Sequence, residues 1–265
     1  MKYFLHLGYD GGNYHGWQQQ PDVSSVQEVV EQTLARIFKT TVTAYGCGRT
    51  DAGVHASQYF LHIELEESFD FDLKFRLNKN LPSAIVIFDV LEVEAHQHAR
   101  YDAISRTYDY FIHLNQDPIL TRYSSYYPLK NLDMEAMKKA AAILPLHNDF
   151  KAVCKRPNLY KHTRCTVTEA KLYVNMEQER LRFTISASRF LHGMIRICVN
   201  FILKIGQGKM SLEAFDEMLA TQSLTPVKHQ AFPQGLYLSR VIYPYLDLKP
   251  QVGICELLKK GLEEE

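Results

Sequence analysis

Two strand-like runs, residues 166–174 and 181–187, follow one another with no helix between them. Neighbours of that kind pair through a hairpin, because a parallel crossover needs about a dozen connecting residues or more, usually a helix. The rest of the chain mixes strands and helices around the same theme. Residues 2–10 read as a strand, Gly11-Gly12-Asn13 as a turn, and Ser25-Val26-Gln27-Glu28 as a capping box. Behind that cap, Val26, Val29, Val30, Leu34, Ile37 and Phe38 recur at helical spacing. Residues 41–45, 58–65 and 84–93 are strand-like, and 72–80 is a short helix. In the second half, a strand at 106–114 and a helix at 132–144 precede the hairpin. Helices at 190–205 and 212–219, a strand at 236–243 and a short helix at 254–262 complete it. This order predicts an α+β fold, not a doubly wound parallel sheet. The halves share a similar element order without an internal sequence repeat.

With 265 residues, 46% hydrophobic and 23% charged, the chain has the makings of one large or two medium globular domains. Its start lacks the apolar region of a signal peptide, and no run reaches membrane-spanning length, so a cytoplasmic location is expected. The five cysteines (Cys47, Cys154, Cys165, Cys198, Cys255) contain no Cys-x-x-Cys pair, which argues for reduced thiols and against a disulfide framework or cysteine-rich zinc site. Cys47 reads as a small buried apolar residue. The formal net charge of zero averages over opposite regions. Glu64, Glu66, Glu67, Asp70 and Asp72 make one of them acidic. Lys151, Lys155, Arg156, Lys161 and Arg164, with Tyr160 and His162 interleaved, make another basic. That basic run reads either as a solvated loop or as a surface for a polyanion.

Gly48-Arg49-Thr50-Asp51-Ala52-Gly53-Val54-His55-Ala56 concentrates chemistry in one loop. A cation two residues from Asp51 favours the ionised carboxylate, and the flanking glycines suit a turn that displays it. Spacing alone leaves two readings, a surface ion pair beside a turn or a reactive acid. In the helix at 190–205, His192, Arg196, Asn200 and Lys204 form a polar stripe on an apolar background. The stripe faces solvent, or else Arg196 faces a cleft, where a desolvated guanidinium requires an anionic partner.

The motif around Asp51 resembles the catalytic loop of the TruA-type tRNA pseudouridine synthase family. Tyr14-His15-Gly16-Trp17-Gln18-Gln19-Gln20-Pro21 with Val26-Gln27 is similar to the family's N-terminal signature. Leu77-Asn78 with Leu81-Pro82, His98-Ala99-Arg100-Tyr101, Arg106-Thr107-Tyr108-Asp109-Tyr110, Phe190-Leu191 with Met194-Ile195-Arg196, and Gly235-Leu236-Tyr237-Leu238 follow in family order. The resemblance covers residues 1–245 and implies a cofactor-free, metal-free isomerisation. A uridine in RNA, most often in the anticodon arm of tRNA, leaves its ribose at nitrogen, rotates and rejoins through carbon. By the same resemblance Asp51 takes the nucleophile's position, and Tyr108 stacks on the target base and assists proton removal. Arg196 pairs with Asp51, and Arg49 helps hold the base or the space it vacates. The implied fold is two similar α/β halves whose antiparallel sheets join across a central active-site cleft, usually in a homodimer whose RNA contacts both subunits. The expected division is 1–104, carrying the Asp51 loop, then 105–245, then a tail at 246–265.

The chain departs from the family pattern at three places. Ser188-Arg189 stands where many relatives have an acidic and a small residue, and Ile197-Cys198-Val199-Asn200 replaces Asn-x-x-Gly. Lys151 replaces a serine after Asn148-Asp149-Phe150. These changes bear on which RNA docks more than on the reaction. Two competing functions are an enzyme of the same chemistry acting on another RNA and an RNA-binding paralogue without catalysis. A metal site at His96 and His98, which would share one strand face, has no third ligand nearby in sequence.

Overall fold

The computed structural model describes residues 1–223, 229–251 and 253–262. Along the chain run β1 (Lys2–Tyr9), α1 (Val26–Phe38), β2 (Tyr45–Gly46), β3 (His55–Glu64), α2 (Leu73–Asn80) and β4 (Ile85–Val93). Then come β5 (Ser105–His113), β6 (Ser125–Tyr126), α3 (Met134–Ala142), β7 (Val167–Val174) and β8 (Arg180–Ala187). Last are α4 (Met194–Gly206), α5 (Leu212–Thr221), β9 (Leu236–Ile242) and α6 (Ile254–Lys259). This is a mixed α+β protein with mostly antiparallel strand pairing.

The chain forms two compact units, Met1–Ile104 with Tyr237–Gly253, and Ser105–Leu236 with Ile254–Glu265. In the first unit β1 lies between β4 and β3, antiparallel to both. Seven of the eight residues of β1 are buried, the pattern of a strand covered on both faces. The other edge of β3 is shared. Its start pairs in parallel with β9 (His55 with Tyr237, Ala56 with Leu238), and its end pairs with β2. Gln58 mends the gap between those pairings. Its buried amide accepts the Val241 N–H at 2.8 Å and donates to the Leu248 carbonyl at 2.9 Å. β9 thus returns to the first unit, a partition that no contiguous division of the chain contains.

In the second unit β8 pairs with both β5 and β7, and the β7–β8 hairpin is the one expected from sequence. Packing on this sheet comes from α3, whose Met137, Ala140 and Ala141 are buried, and α4, with ten buried residues, packs against α3. The last described segment folds back here too. Asp109 of β5, 1% exposed, is held by Arg182 Nε at 2.8 Å and by Lys259 Nζ of α6 at 3.5 Å. A buried carboxylate needs such compensation, so a segment that matched no motif in sequence covers a charge.

Three local expectations change. Residues 41–44 are not strand, because the Ala44 N–H donates to the Glu31 carboxylate at 2.9 Å rather than to a ladder. The α4 helix starts at Met194, with Gly193 at its N-cap, so His192 lies outside the stripe it was expected to begin. His96 and His98 fall in the turn after β4, where the His98 ring packs edge-on against His62 at 4.4 Å. All five cysteines are buried free thiols, Cys47 fully so.

Candidate active site

The Asp51 loop is held from behind by two segments of the first unit. Tyr9, at the end of β1, meets Thr50 through their hydroxyls at 2.9 Å in a buried position. Residues 14–17 run alongside. The Trp17 N–H donates to the Thr50 carbonyl at 3.3 Å, and the Gly53 N–H to the Tyr14 carbonyl at 3.1 Å. Gly16, at φ 88°, lies so close that a β-carbon would stand 2.2 Å from the Thr50 carbonyl oxygen. Trp17 stacks on Tyr59 at 4.3 Å, and the Tyr59 hydroxyl donates to the Gly48 carbonyl at 2.5 Å.

Asp51 itself opens a β-turn. Its carbonyl accepts the Val54 N–H at 3.2 Å, and the third corner, Gly53, has φ 75°. That left-handed value is the one a turn of this kind reserves for glycine. Of the two loop glycines, only Gly53 has a positive φ; the role of Gly48 is to offer its carbonyl to Tyr59. Asp51 is half-buried between buried Thr50 and exposed Ala52. Past the turn the chain enters β3, where His55 Nδ1 accepts the Gly11 N–H at 3.1 Å and the ring stacks on Tyr237 at 4.7 Å. The backbone of the loop is therefore fixed on both sides of the carboxylate.

Arg49 corrects the simplest reading of the motif. It is exposed, and its Nε–H donates to Gln18 Oε1 at 3.2 Å. Gln18 Nε2 donates in turn to Gln27 Oε1 at 2.8 Å, and Gln27 Nε2 to Glu31 Oε1 at 3.0 Å on α1. The arginine two residues before Asp51 is thus tied to the N-terminal signature, and among the described residues no ion pair joins it to Asp51.

Tyr108 and Arg196 belong to the second unit. Tyr108 is 7% exposed on β5, with its ring edge-on to Phe190 at 5.1 Å. Arg196 is half-buried on the first turn of α4, with Nε donating to the Ala231 carbonyl at 2.7 Å, while the Ala231 N–H returns to the Arg196 carbonyl at 2.9 Å. Near it lie the phenols of Tyr110 and Tyr127. Burial raises both above the ordinary tyrosine range, against a smaller opposing pull from the Arg196 cation. Tyr110 donates to Ser125 Oγ and shares the Phe232 carbonyl at 2.8 Å, which anchors the segment carrying Ala231.

Lys151, Lys155, Arg156, Lys161 and Arg164 are all exposed. Lys151, Lys161 and Arg164 line an open cavity of about 560 Å³ together with Asp149, Tyr160 and His162, whereas Lys155 and Arg156 lie outside its lining. Tyr160 and His192 prove structural here. Tyr160 accepts the His192 N–H at 2.9 Å, and the Lys155 N–H donates to the His192 carbonyl at 2.8 Å. The interleaving of Tyr160 with the basic residues was the one signal available.

Among the described residues, no group of three or more His, Cys, Asp or Glu is placed to hold a metal ion, and no helix is long and apolar enough to cross a membrane. A family model described as tRNA pseudouridine synthase matches residues 141–244. The chain is 38% identical over 248 residues to a tRNA pseudouridine synthase A of Porphyromonas gingivalis, covering 92% of this chain and 97% of that protein. It is 38% identical over 247 residues to the protein of the same name in Bacteroides thetaiotaomicron, covering 92% and 91%. To that of Streptococcus sanguinis it is 35% identical over 246 residues, covering 91% and 98%.

Proposed function

Because this chain belongs to the tRNA pseudouridine synthase family, we propose that it isomerises uridine to pseudouridine in tRNA, in the anticodon stem-loop at conventional positions 38–40. The observation that carries the assignment of the reactive group is the pinned turn at 51–54, which presents a half-buried carboxylate on a backbone fixed by Tyr9, Tyr14 and Trp17. Nucleophilic catalysis needs such a group held before the substrate arrives. In the reaction the bond between N1 and C1′ breaks, a bond between C5 and C1′ forms, the C5 hydrogen leaves as a proton, and N1 takes a proton up. No redox partner enters that balance.

Within this reading Asp51 is the nucleophile. Tyr108 stacks on the extruded base, offsetting part of an unstacking cost of about 1–3 kcal/mol, and assists removal of the C5 proton. Arg196 is the counter-charge that pairs with the Asp51 carboxylate, a role favoured by the bond of its Nε to the Ala231 carbonyl, which fixes its stem. Arg49, tied to Gln18, helps hold the base. The basic run of Lys151, Lys155, Arg156, Lys161 and Arg164 contacts RNA. The enzyme works in the cytoplasm as a homodimer, which sedimentation of the full chain tests.

The deciding experiment measures tritium release from uridine C5 in an unmodified tRNA transcript. Parent protein releases it and Asp51→Asn does not; full release by Asp51→Asn refutes the nucleophile. Mapping new pseudouridines in total RNA from a host without its own enzyme then tests the anticodon-arm assignment against other RNAs.

A further inference from the structure

The cavity at 149–164 joins features that are scattered in sequence. Two of its three cations are not consumed internally. Among the described residues Lys161 and Arg164 form no ion pair, and the carboxylate that shares the lining, Asp149, is turned to the loop itself. Its Oδ1 accepts the Lys151 N–H at 3.0 Å and the Thr163 hydroxyl at 2.6 Å. Two departures from the family pattern meet here as well. Lys151 lines the cavity, and the Arg189 guanidinium lies 5.6 Å from the centre of the Tyr160 ring.

The same loop is fastened to the helix that carries Arg196. His192, just before the N-cap of α4, gives its N–H to the Tyr160 hydroxyl and receives the Lys155 N–H on its carbonyl. Tyr160 therefore lines the cavity and bonds the entry of α4 through its hydroxyl oxygen.

We propose that Lys151, Lys161 and Arg164 bind a backbone phosphate of the RNA substrate, and that Tyr160 is a positioning residue linking this contact to α4 and so to Arg196. The proposal rests on the RNA reading above. An exposed cationic lining attracts a phosphodiester through charge and counterion release, with no requirement for base recognition. A hydroxyl that fixes a helix entry acts on turnover, because a small misplacement of a group near the chemistry is felt in rate before affinity.

The test uses the full chain and an unmodified tRNA transcript. Lys161→Ala with Arg164→Ala should weaken tRNA binding about tenfold and reduce the slope of log Kd against log salt by about one to two, with the larger kinetic effect in KM. Tyr160→Phe should keep the parental salt slope and lower kcat several-fold more than it changes KM. An unchanged slope in the double variant overturns the phosphate site, and a parental kcat in Tyr160→Phe overturns the link. Inorganic phosphate, added at constant ionic strength, should not displace tRNA at millimolar concentration; displacement would assign the cavity to a free anion instead. Failure of the parent to release tritium would sink the isomerase reading, while the salt slopes would still report on the cavity.

Discussion

Gly16 sits against Thr50 so tightly that the glycine Cα and the threonine carbonyl leave no room for a methyl group, the hypothetical β-carbon lying 2.2 Å from the oxygen. Gly16→Ala must therefore push the Asp51 loop away while adopting a left-handed φ. We expect a loss of more than about 1 kcal/mol in stability and a larger fractional loss of turnover. Thermal unfolding and tritium release on the same preparation measure both, and parental turnover in the variant would show that the loop tolerates displacement.

Gln58→Leu removes the amide that serves Val241 and Leu248, leaving a buried donor and a half-buried acceptor without their partner. Each such loss costs about 1–3 kcal/mol, so urea unfolding should show about 3 kcal/mol of destabilisation. A change below 1 kcal/mol, as an order-of-magnitude threshold, would mean that β9 finds another partner.

His62 gives the fold an acid-sensitive component. Burial, then the charges of His98 and Lys2, lower its pKa from 6.5 to about 4. Between those values the unfolded chain takes up a proton that the folded chain refuses, so stability falls as pH drops through that window and levels off below it. His6 and His98 shift in the same direction. His62→Gln should flatten the pH dependence of the unfolding midpoint between pH 6.5 and 4, the two limits set by the histidine. An undiminished slope would place the effect elsewhere.

Lys259 acts at the opposite end of the scale. Burial pulls its pKa down, but the attraction of Asp109 and the neighbours that follow outweigh it, and the net shift is upward. Its contribution is complete below the ordinary lysine value of 10.5 and is lost as pH rises through the higher folded value. Lys259→Met should lower the melting temperature at neutral pH, by about 1–3 kcal/mol of stability, and remove part of the alkaline decline. Parental melting in Lys259→Met would leave Arg182 as sufficient compensation for Asp109.

Local pattern carried far in this chain where the physics is local. Ser25 caps α1 through the Glu28 N–H, as the capping box required, and the hairpin of β7 and β8 forms where two strand-like runs were adjacent. Periodicity reports which face of an element is buried, and it is silent about side-chain amides that reach distant backbone. Gln58 serves Val241 across 183 positions, and Glu31 takes the Ala44 N–H out of a strand. Arg49 shows the same limit at the site. Proximity in sequence suggested a pair with Asp51, but its Nε–H goes to Gln18, which precedes it by 31 positions. The basic run was visible as composition, yet the division between cavity-lining and outlying cations depends on two short 3₁₀ turns, Lys151–Val153 and Pro157–Leu159, that no periodicity announces.

The interleaving of the two units has a consequence for synthesis. Since Tyr237–Gly253 completes the first unit and Ile254–Glu265 the second, a nascent chain that has emerged only as far as residue 236 has finished neither. Until then β3 lacks its parallel partner and Asp109 lacks Lys259. Translation that stops short of residue 237 thus leaves two incomplete cores, one with an open edge on β3 and one with a buried carboxylate short of a counter-charge.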